Sequence, residues 1–542
     1  MNSTHDVFNQ PLPFQDVNLF TADTTLQRAV AYFQAEWGKA ALTEYGALAG
    51  GSLIPHARLA NRFPPEIKTF DTYGHRSDAV EFHPAYHVLM DTAISHGVHS
   101  TAWEQKQPGH HVLRAALEML HHQVEAGTDC PLTMTFAAVP CFQETPKLAE
   151  QWLPKIINRH YDPANKPWYE KQGLTIGMAM TEKQGGTDVR ANTTTAAPLN
   201  ELNTGGESFA LTGHKWFCSA PMSDAFLTLA YLENEMTCFL LPRWKPDGDK
   251  NKFQLQRLKD KLGNRSNASS EVEYHGAFAW LLGEPGKGVQ TIIQMVALTR
   301  FNCLVGSTAQ MRQAVHLMLS HIRQRSVMGK LLIDQPLMRN VAADLVLESE
   351  AAIWLTFRLA QALEKSDDNP FEARIVRLGT AIAKFWVCKR APQHINEAQE
   401  CLGGLGFIED HPMARVYREA PLNSIWEGSG NVQCLDVLRA LENDPQVATS
   451  LLQELEPNRG RHGVYDSTLD ALQQDLLAPD LFRARLLVEK MALLWQASLL
   501  FNHAGEDIAI AFVETRLARA GLFYGALNQN PAIDKLLQTI MH

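Results

Sequence analysis

Residues 423 to 435 read N-S-I-W-E-G-S-G-N-V-Q-C-L, and at their centre stands one carboxylate, Glu427. A large aromatic, Trp426, precedes it, and a turn of Gly428, Ser429 and Gly430 follows. Glycine has no Cβ, so a flat ligand can approach that backbone closely. Apolar residues from Val432 to Leu441 recur at helical spacing. The spacing predicts a helix that begins at the turn, and a helix N-terminus favours anions. The stretch therefore sets an ionisable group beside a backbone that a ligand can reach. The plainer alternative is a capped helix start with a solvated glutamate.

Other residue types with chemical capacity carry less. The chain has 21 histidines but no H-E-x-x-H. The pairs His110-His111 and His121-His122 point to different sides of a helix, so no metal site is expected. The eight cysteines include no C-x-x-C pair, as expected of buried reduced thiols in a cytosolic protein. Gly283, Gly286 and Gly288 are spaced like a dinucleotide loop but lack the preceding strand of a βαβ unit, so they are assigned to a connecting loop. The basic run Arg257, Lys259, Lys261 and Arg265 is interrupted by Asp260 and is assigned to a solvated face.

Several elements must position the turn. At 542 residues, with 45% hydrophobic and 20% charged content, the chain is long enough for several cores. Residues 1–172 have helical apolar spacing broken by Pro11, Pro13, Pro64 and Pro65. From 173 to 287 the runs shorten and turn residues separate them, as in a β domain. Residues 288–442 return to long amphipathic runs, which suggests a helical bundle. Residues 443–542 suit an appended helical domain. The expected fold is mainly α with a central β domain. Net charge is −10, which gives no general reason to expect nucleic acid or an anionic membrane as partner. The N-terminus shows no signal-peptide pattern, and no apolar run approaches the roughly 18 residues of a membrane helix. A cytoplasmic location, away from the membrane, is expected.

Five segments, in order, resemble those of the acyl-CoA dehydrogenase family. They are M-T-E-K-Q-G-G-T-D (180–188), G-H-K-W-F-C-S (213–219), R-S-V-M-G-K-L (325–331), L-G-G-L-G-F (402–407) and I-W-E-G-S (425–429). The resemblance implies a helical N-domain, a β-barrel middle domain and a C-terminal helical bundle. It also implies bound FAD and oxidation of an acyl thioester, with an electron-acceptor flavoprotein as partner. Glu427 becomes the catalytic base for the α-proton, its pKa raised by burial against Trp426 and the flavin. The implied cofactor contacts are Met180, Thr181, Gly185, Gly186, Thr187, Phe217, Ser219, Ile425, Trp426, Gly428, Ser429 and Asn431. Phe217 takes the family's tryptophan position against the isoalloxazine, Ser219 that of a threonine near flavin N5, and Asn431 that of a glutamine near the adenine. Arg325, Gly403 and Gly404 are placed to complete a neighbouring subunit's site, which implies a homotetramer. Met328, Pro336 and Glu400 depart from the family pattern near the adenosine end.

The wording of 180–189, 257–269 and 423–431 and the tail after Leu441 resemble one branch of the family, flavoproteins of the alkylation response. That branch implies duplex DNA binding, with Arg439, Arg483, Arg485, Arg516 and Arg519 as candidate contacts. From Pro445 to His542, however, the tail holds eight Lys and Arg against eleven Asp and Glu. Phosphate contacts need basic residues, so weak binding is expected near physiological salt. Dehydrogenation and DNA binding thus remain two readings, with flavin chemistry ranked first.

Overall fold

A computed structural model describes residues 4–199, 206–519, 521–528 and 531–542. The chain forms two compact units: Leu53–Lys106 with Val124–Asn302, and Met1–Ser52 with Gln107–Gln123 and Cys303–His542. The two units interleave along the chain.

The first unit is built around a sheet that closes on itself. Its strands are β3 (Ile176–Ala179), β4 (Thr195–Leu199), β5 (Ser208–Ser219), β6 (Ala225–Leu232), β7 (Glu235–Pro242), β8 (Phe253–Leu258) and β9 (Ser269–Leu281). They follow a hairpin, β1 (Glu66–Phe70) with β2 (Arg76–Glu81). Strand β6 pairs with both β4 and β7; β7 pairs with β9, β9 with β5, and β5 with β4, which completes the ring. β3 lies on β6 and β8 on β9. The ring leaves few free edges, as barrels do. β6 and β7 are almost continuous apolar runs joined by the two residues Glu233 and Asn234. Along β9 the residues in the barrel core are Val272 and Tyr274, then Ala277 and Ala279. The register shifts there, at Leu211/Thr212 against His275–Ala277, so one extra residue moves the inward face from even to odd positions. The β1–β2 hairpin lies inside a region whose spacing suggests mostly helices, with loops at the prolines.

The second unit is helical. Its long members are Gly288–Ile322 (continuing from the first unit), Pro336–Lys365, Pro370–Glu400 and Ala484–His503. Pro336 and Pro370 open their helices at the position where a missing N–H costs nothing, and Asn369 caps the latter by accepting from Phe371 N at 3.0 Å. Helix Pro370–Glu400 packs against Pro336–Lys365, Gly430–Asn443 and Ala484–His503. A Cβ at Gly379 would lie 2.6 Å from the Trp495 ring, so the glycine lets the tail helix seat there. Ion pairs bind the tail further: Arg516 to Asp344 (2.6 Å) and Glu348 (2.7 Å), and Arg358 to Glu454 (2.7 Å). The tail thus belongs to one compact unit with the bundle. Helix Gly288–Ile322 corrects one expectation. Among the described residues it is long and apolar enough to cross a membrane by length and composition, but 78% of that apolar window is buried within the fold, as in a core helix.

Candidate active site

Two of the sequence segments meet on the barrel. The backbone N–H of Trp216 donates to Thr181 O at 2.8 Å, which sets 180–188 beside 213–219. Beneath them Lys215 Nζ meets Glu182 Oε1 at 2.8 Å, both side chains fully buried. Lys215 also donates to Leu229 O at 2.9 Å. Glu182 accepts from Thr193 N, Thr194 N, Thr194 Oγ1 and Gln184 Nε2. Burial alone would raise the Glu182 carboxyl, but the Lys215 ammonium and these donors outweigh it and hold it at about 2. Burial, conversely, lowers the Lys215 ammonium despite its partner.

This anchored base presents the implied flavin contacts outward. Phe217 is 50% exposed. Thr181 and Met180 are half-buried, and Gly186 and Thr187 are exposed. Gly185 is buried, paired with Glu182 through both backbone hydrogen bonds. Ser219 Oγ lies 3.1 Å from Ser269 Oγ. An exposed ring beside hydroxyls and a glycine turn fits a planar heterocycle with polar edges. The basic run beside it is engaged internally. Arg257 and Lys259 share Glu271 at 2.5 and 2.6 Å, and the Lys259 ammonium lies 3.3 Å from the Trp216 ring centre and 4.7 Å from that of Phe217.

The glutamate turn lies in the helical unit. The helix begins at Gly430, directly after it. Glu427 has φ +57°, a left-handed conformation that a residue with a Cβ adopts at a cost of about 1 kcal/mol or more. Such a conformation persists only where its surroundings hold it. Here Lys384, buried in helix Pro370–Glu400, donates from Nζ to Asn423 O (3.0 Å), Trp426 O (2.9 Å) and Gly428 O (2.9 Å). Gln433 Nε2 donates to Glu427 O (3.2 Å) and Gly428 O (2.9 Å). The Trp426 indole donates to Asn423 Oδ1 at 2.9 Å. Glu427 and Trp426 are half-buried; Ile425, Ser429 and Asn431 are exposed.

Arg325 follows the end of the long helix, and its guanidinium donates to Asn9 O, while Asn9 and Ser326 bond through side chain and backbone at 2.7 and 2.8 Å. Gly403 has φ +60°, which favours glycine, and a Cβ at Gly403 or Gly404 would meet nothing within 4 Å. That open backbone suits close approach by another molecule. Of the candidate DNA contacts, Arg439, Arg483, Arg485 and Arg519 are exposed. Arg516 is not: its guanidinium is held inside by Asp344 and Glu348, so the expectation that it faces a phosphate is corrected. Sequence reasoning also passed over Lys384, Gln433 and Asn423. The signal for Lys384 was a lone cation in the apolar run A-I-A-K-F-W-V-C.

A closed barrel preceded and followed by helices, with a glutamate turn at a helix start, defines the class. The acyl-CoA dehydrogenase middle domain matches residues 177–277, and the acyl-CoA dehydrogenase C-terminal domain matches 286–442. The chain belongs to the acyl-CoA dehydrogenase family. More particularly, residues 9–163 match the adaptive response protein AidB N-terminal domain. The chain is 44% identical over 521 residues to the putative acyl-CoA dehydrogenase AidB of Escherichia coli (strain K12), covering 96% of this chain and 95% of that protein. It is 29% identical over 477 residues to acyl-CoA dehydrogenase family member 11 of Caenorhabditis elegans, covering 84% of this chain and 75% of that one. The crystal structure of Caenorhabditis elegans ACDH-11 in complex with C11-CoA superposes with a TM-score of 0.85 at 25% identity, over 100% of this chain and 93% of that chain.

Proposed function

We propose that this chain is an FAD-dependent acyl-CoA dehydrogenase in which Glu427 removes the α-proton of the substrate. The observation that carries the reading is the turn itself: a carboxylate on a left-handed backbone, held by five hydrogen bonds from Lys384 and Gln433 to its carbonyls. The C11-CoA complex of the nematode relative supports the substrate class. The Glu427 carboxylate takes the proton, and the electron pair of the broken C–H bond closes the Cα–Cβ double bond. Bound FAD supplies the two-electron acceptor for the hydride that leaves Cβ. The chain's own contribution is position and electrostatics. Thr181, Gly185, Gly186, Thr187, Phe217 and Ser219 hold the flavin on a base rooted by Glu182 and Lys215. Trp426, bulkier than the family's tyrosine, narrows the space beside the base and favours short or branched acyl chains. Arg325, Gly403 and Gly404 complete a neighbour's cofactor site in a cytoplasmic homotetramer, and a flavoprotein accepts the electrons.

The test is anaerobic mixing of the FAD-loaded protein with straight, branched and eleven-carbon acyl-CoA thioesters while flavin absorbance is followed. Bleaching by at least one is expected, together with its loss in Glu427→Gln at unchanged FAD content. No bleaching by any thioester, or equal bleaching by the variant, refutes the reading. The exposed Arg439, Arg483, Arg485 and Arg519 favour a second reading, duplex DNA binding, but the tail's excess of carboxylates ranks it below the first.

A further inference from the structure

We infer that Lys384 and Gln433 are positioning residues for Glu427: together they clamp the carbonyl edge of the 423–429 turn and keep the base in its left-handed conformation. The inference rests on the proposed role of Glu427 for its functional meaning, but the clamp is visible independently of any substrate. An ammonium carries three N–H donors. Lys384 spends one each on Asn423 O, Trp426 O and Gly428 O, so donors and acceptors match in number. Gln433, from the helix that the turn opens, adds both remaining holds, one on the carbonyl of Glu427 itself. The carbonyls on both flanks of Glu427 are therefore held from one neighbouring helix, and its own from another.

Lys384 and Gln433 are each 1% exposed. A buried cation costs a great deal unless polar groups take the place of water around it. The three carbonyl oxygens do so, and the cation in turn draws three peptide groups of one short turn toward one point. An amide has two donors and a methionine none, so neither reproduces the three-point hold. Glu427 needs such a hold, because the left-handed region disfavours its Cβ. Without it the turn relaxes toward ordinary backbone and the carboxylate leaves its place while the surrounding helices stay folded.

The test uses FAD-loaded protein with Lys384→Met and, separately, Gln433→Leu, which leaves the lysine in place and removes two of the five holds. The first readout is amide hydrogen exchange. In Lys384→Met, peptides covering 423–433 should exchange about tenfold faster or more, while peptides from 341–360 keep their protection. Gln433→Leu should shift the same peptides in the same direction by less. The second readout is flavin bleaching by whichever thioester bleaches the wild type. The rate at saturation should fall about tenfold or more in Lys384→Met, with half-saturation changed by less than about threefold. Wild-type exchange at 423–433 in both variants overturns the clamp. Faster exchange without a loss of saturating rate overturns its positioning role. If no thioester bleaches the wild type, the proposed dehydrogenation fails, while the exchange comparison alone still decides the clamp.

Discussion

The buried pair of Glu182 and Lys215 offers a sharp test of how the barrel holds its flavin-facing segments. Replacing Lys215 with methionine keeps the volume and removes the counter-charge. The Glu182 carboxyl then stays in a fully buried site with only hydrogen bonds to hold its charge. Its folded pKa of about 2 against an ordinary 4.5 corresponds to about 3 kcal/mol of stabilisation of the ionised form. Lys215 makes the largest favourable contribution to that shift, ahead of the Thr193 and Thr194 donors, and removing one partner of a buried pair costs about 3–5 kcal/mol by experience in other proteins. For a unit of this size, about 3 kcal/mol lowers the unfolding temperature by roughly 6–12 °C. Lys215 belongs to one of the two segments proposed to hold flavin and pairs with Glu182 of the other, so release of FAD fluorescence on heating is the assay. The variant should release flavin at the lower temperature.

The sign with pH follows from the direction of the shift. Glu182 has a depressed folded pKa, so its contribution is complete above the ordinary carboxylate range and is lost as pH falls from about 4.5 through about 2. The gap between wild type and Lys215→Met should therefore be full at neutral pH and close in acid. A second comparison isolates charge. Adding Glu182→Gln to Lys215→Met removes the uncompensated buried charge and keeps an acceptor for the Thr193 or Thr194 N–H. The double variant should be more stable than Lys215→Met alone. If the double variant is instead the worse of the two, or if Lys215→Met melts with the wild type, the ion pair does not root these segments.

Four further outcomes are expected. The purified protein should be yellow with one FAD per chain by absorbance; a colourless protein that takes up no added FAD contradicts the assignment of 180–188 and 213–219. Light scattering should give a tetramer; a monomer retaining full FAD removes the role given to Arg325, Gly403 and Gly404 in a neighbour's site. Arg516→Ala should lose about 3 kcal/mol in thermal unfolding because it removes the cation paired with buried Asp344 and one of the two that meet Glu348, the other being Arg390, whereas exposed Arg519→Ala should stay near wild type. Duplex DNA titrated at two salt concentrations should bind weakly near 0.15 M; tight binding there, lost when Arg483, Arg485 and Arg519 become alanine, makes DNA binding the primary reading.

Much of the architecture was legible because it is periodic. Long helices announce themselves by apolar residues three and four apart, and β6 and β7 by short apolar runs around a two-residue turn. The β1–β2 hairpin was not legible, because E-I-K-T-F and R-S-D-A-V-E are short, charged and only partly buried. The site divides along a different line. The residues proposed to face a ligand fall inside local motifs and could be named one by one. Those that hold the motifs act over distance: Lys384 reaches carbonyls 39 to 44 positions away, Glu182 meets Lys215 33 positions away, and Arg516 meets Glu348 168 positions away.

Charge inside an apolar pattern is nevertheless a demand that the sequence states openly. Lys384 stands among Ile382, Ala383, Phe385 and Cys388, all buried, on a helix whose neighbours are equally apolar. A cation there must find acceptors within the fold, because water is excluded and its desolvation is costly. Such a site holds a carboxylate, which would make an ordinary buried ion pair, or a cluster of backbone carbonyls that regular hydrogen bonding leaves free, as at a tight turn or the end of a helical turn. The second outcome means that a buried lysine in a core helix marks such a turn packed against it. In this chain that turn carries Glu427. The same logic applies to Arg516: a guanidinium in the tail is a surface charge by composition, but the buried carboxylates at 344 and 348, one helical turn apart on one helix, draw cations from elsewhere, Arg516 to both and Arg390 to Glu348. Sequence pattern therefore tells that such a partner exists and of which sign; topology alone decides which residue it is.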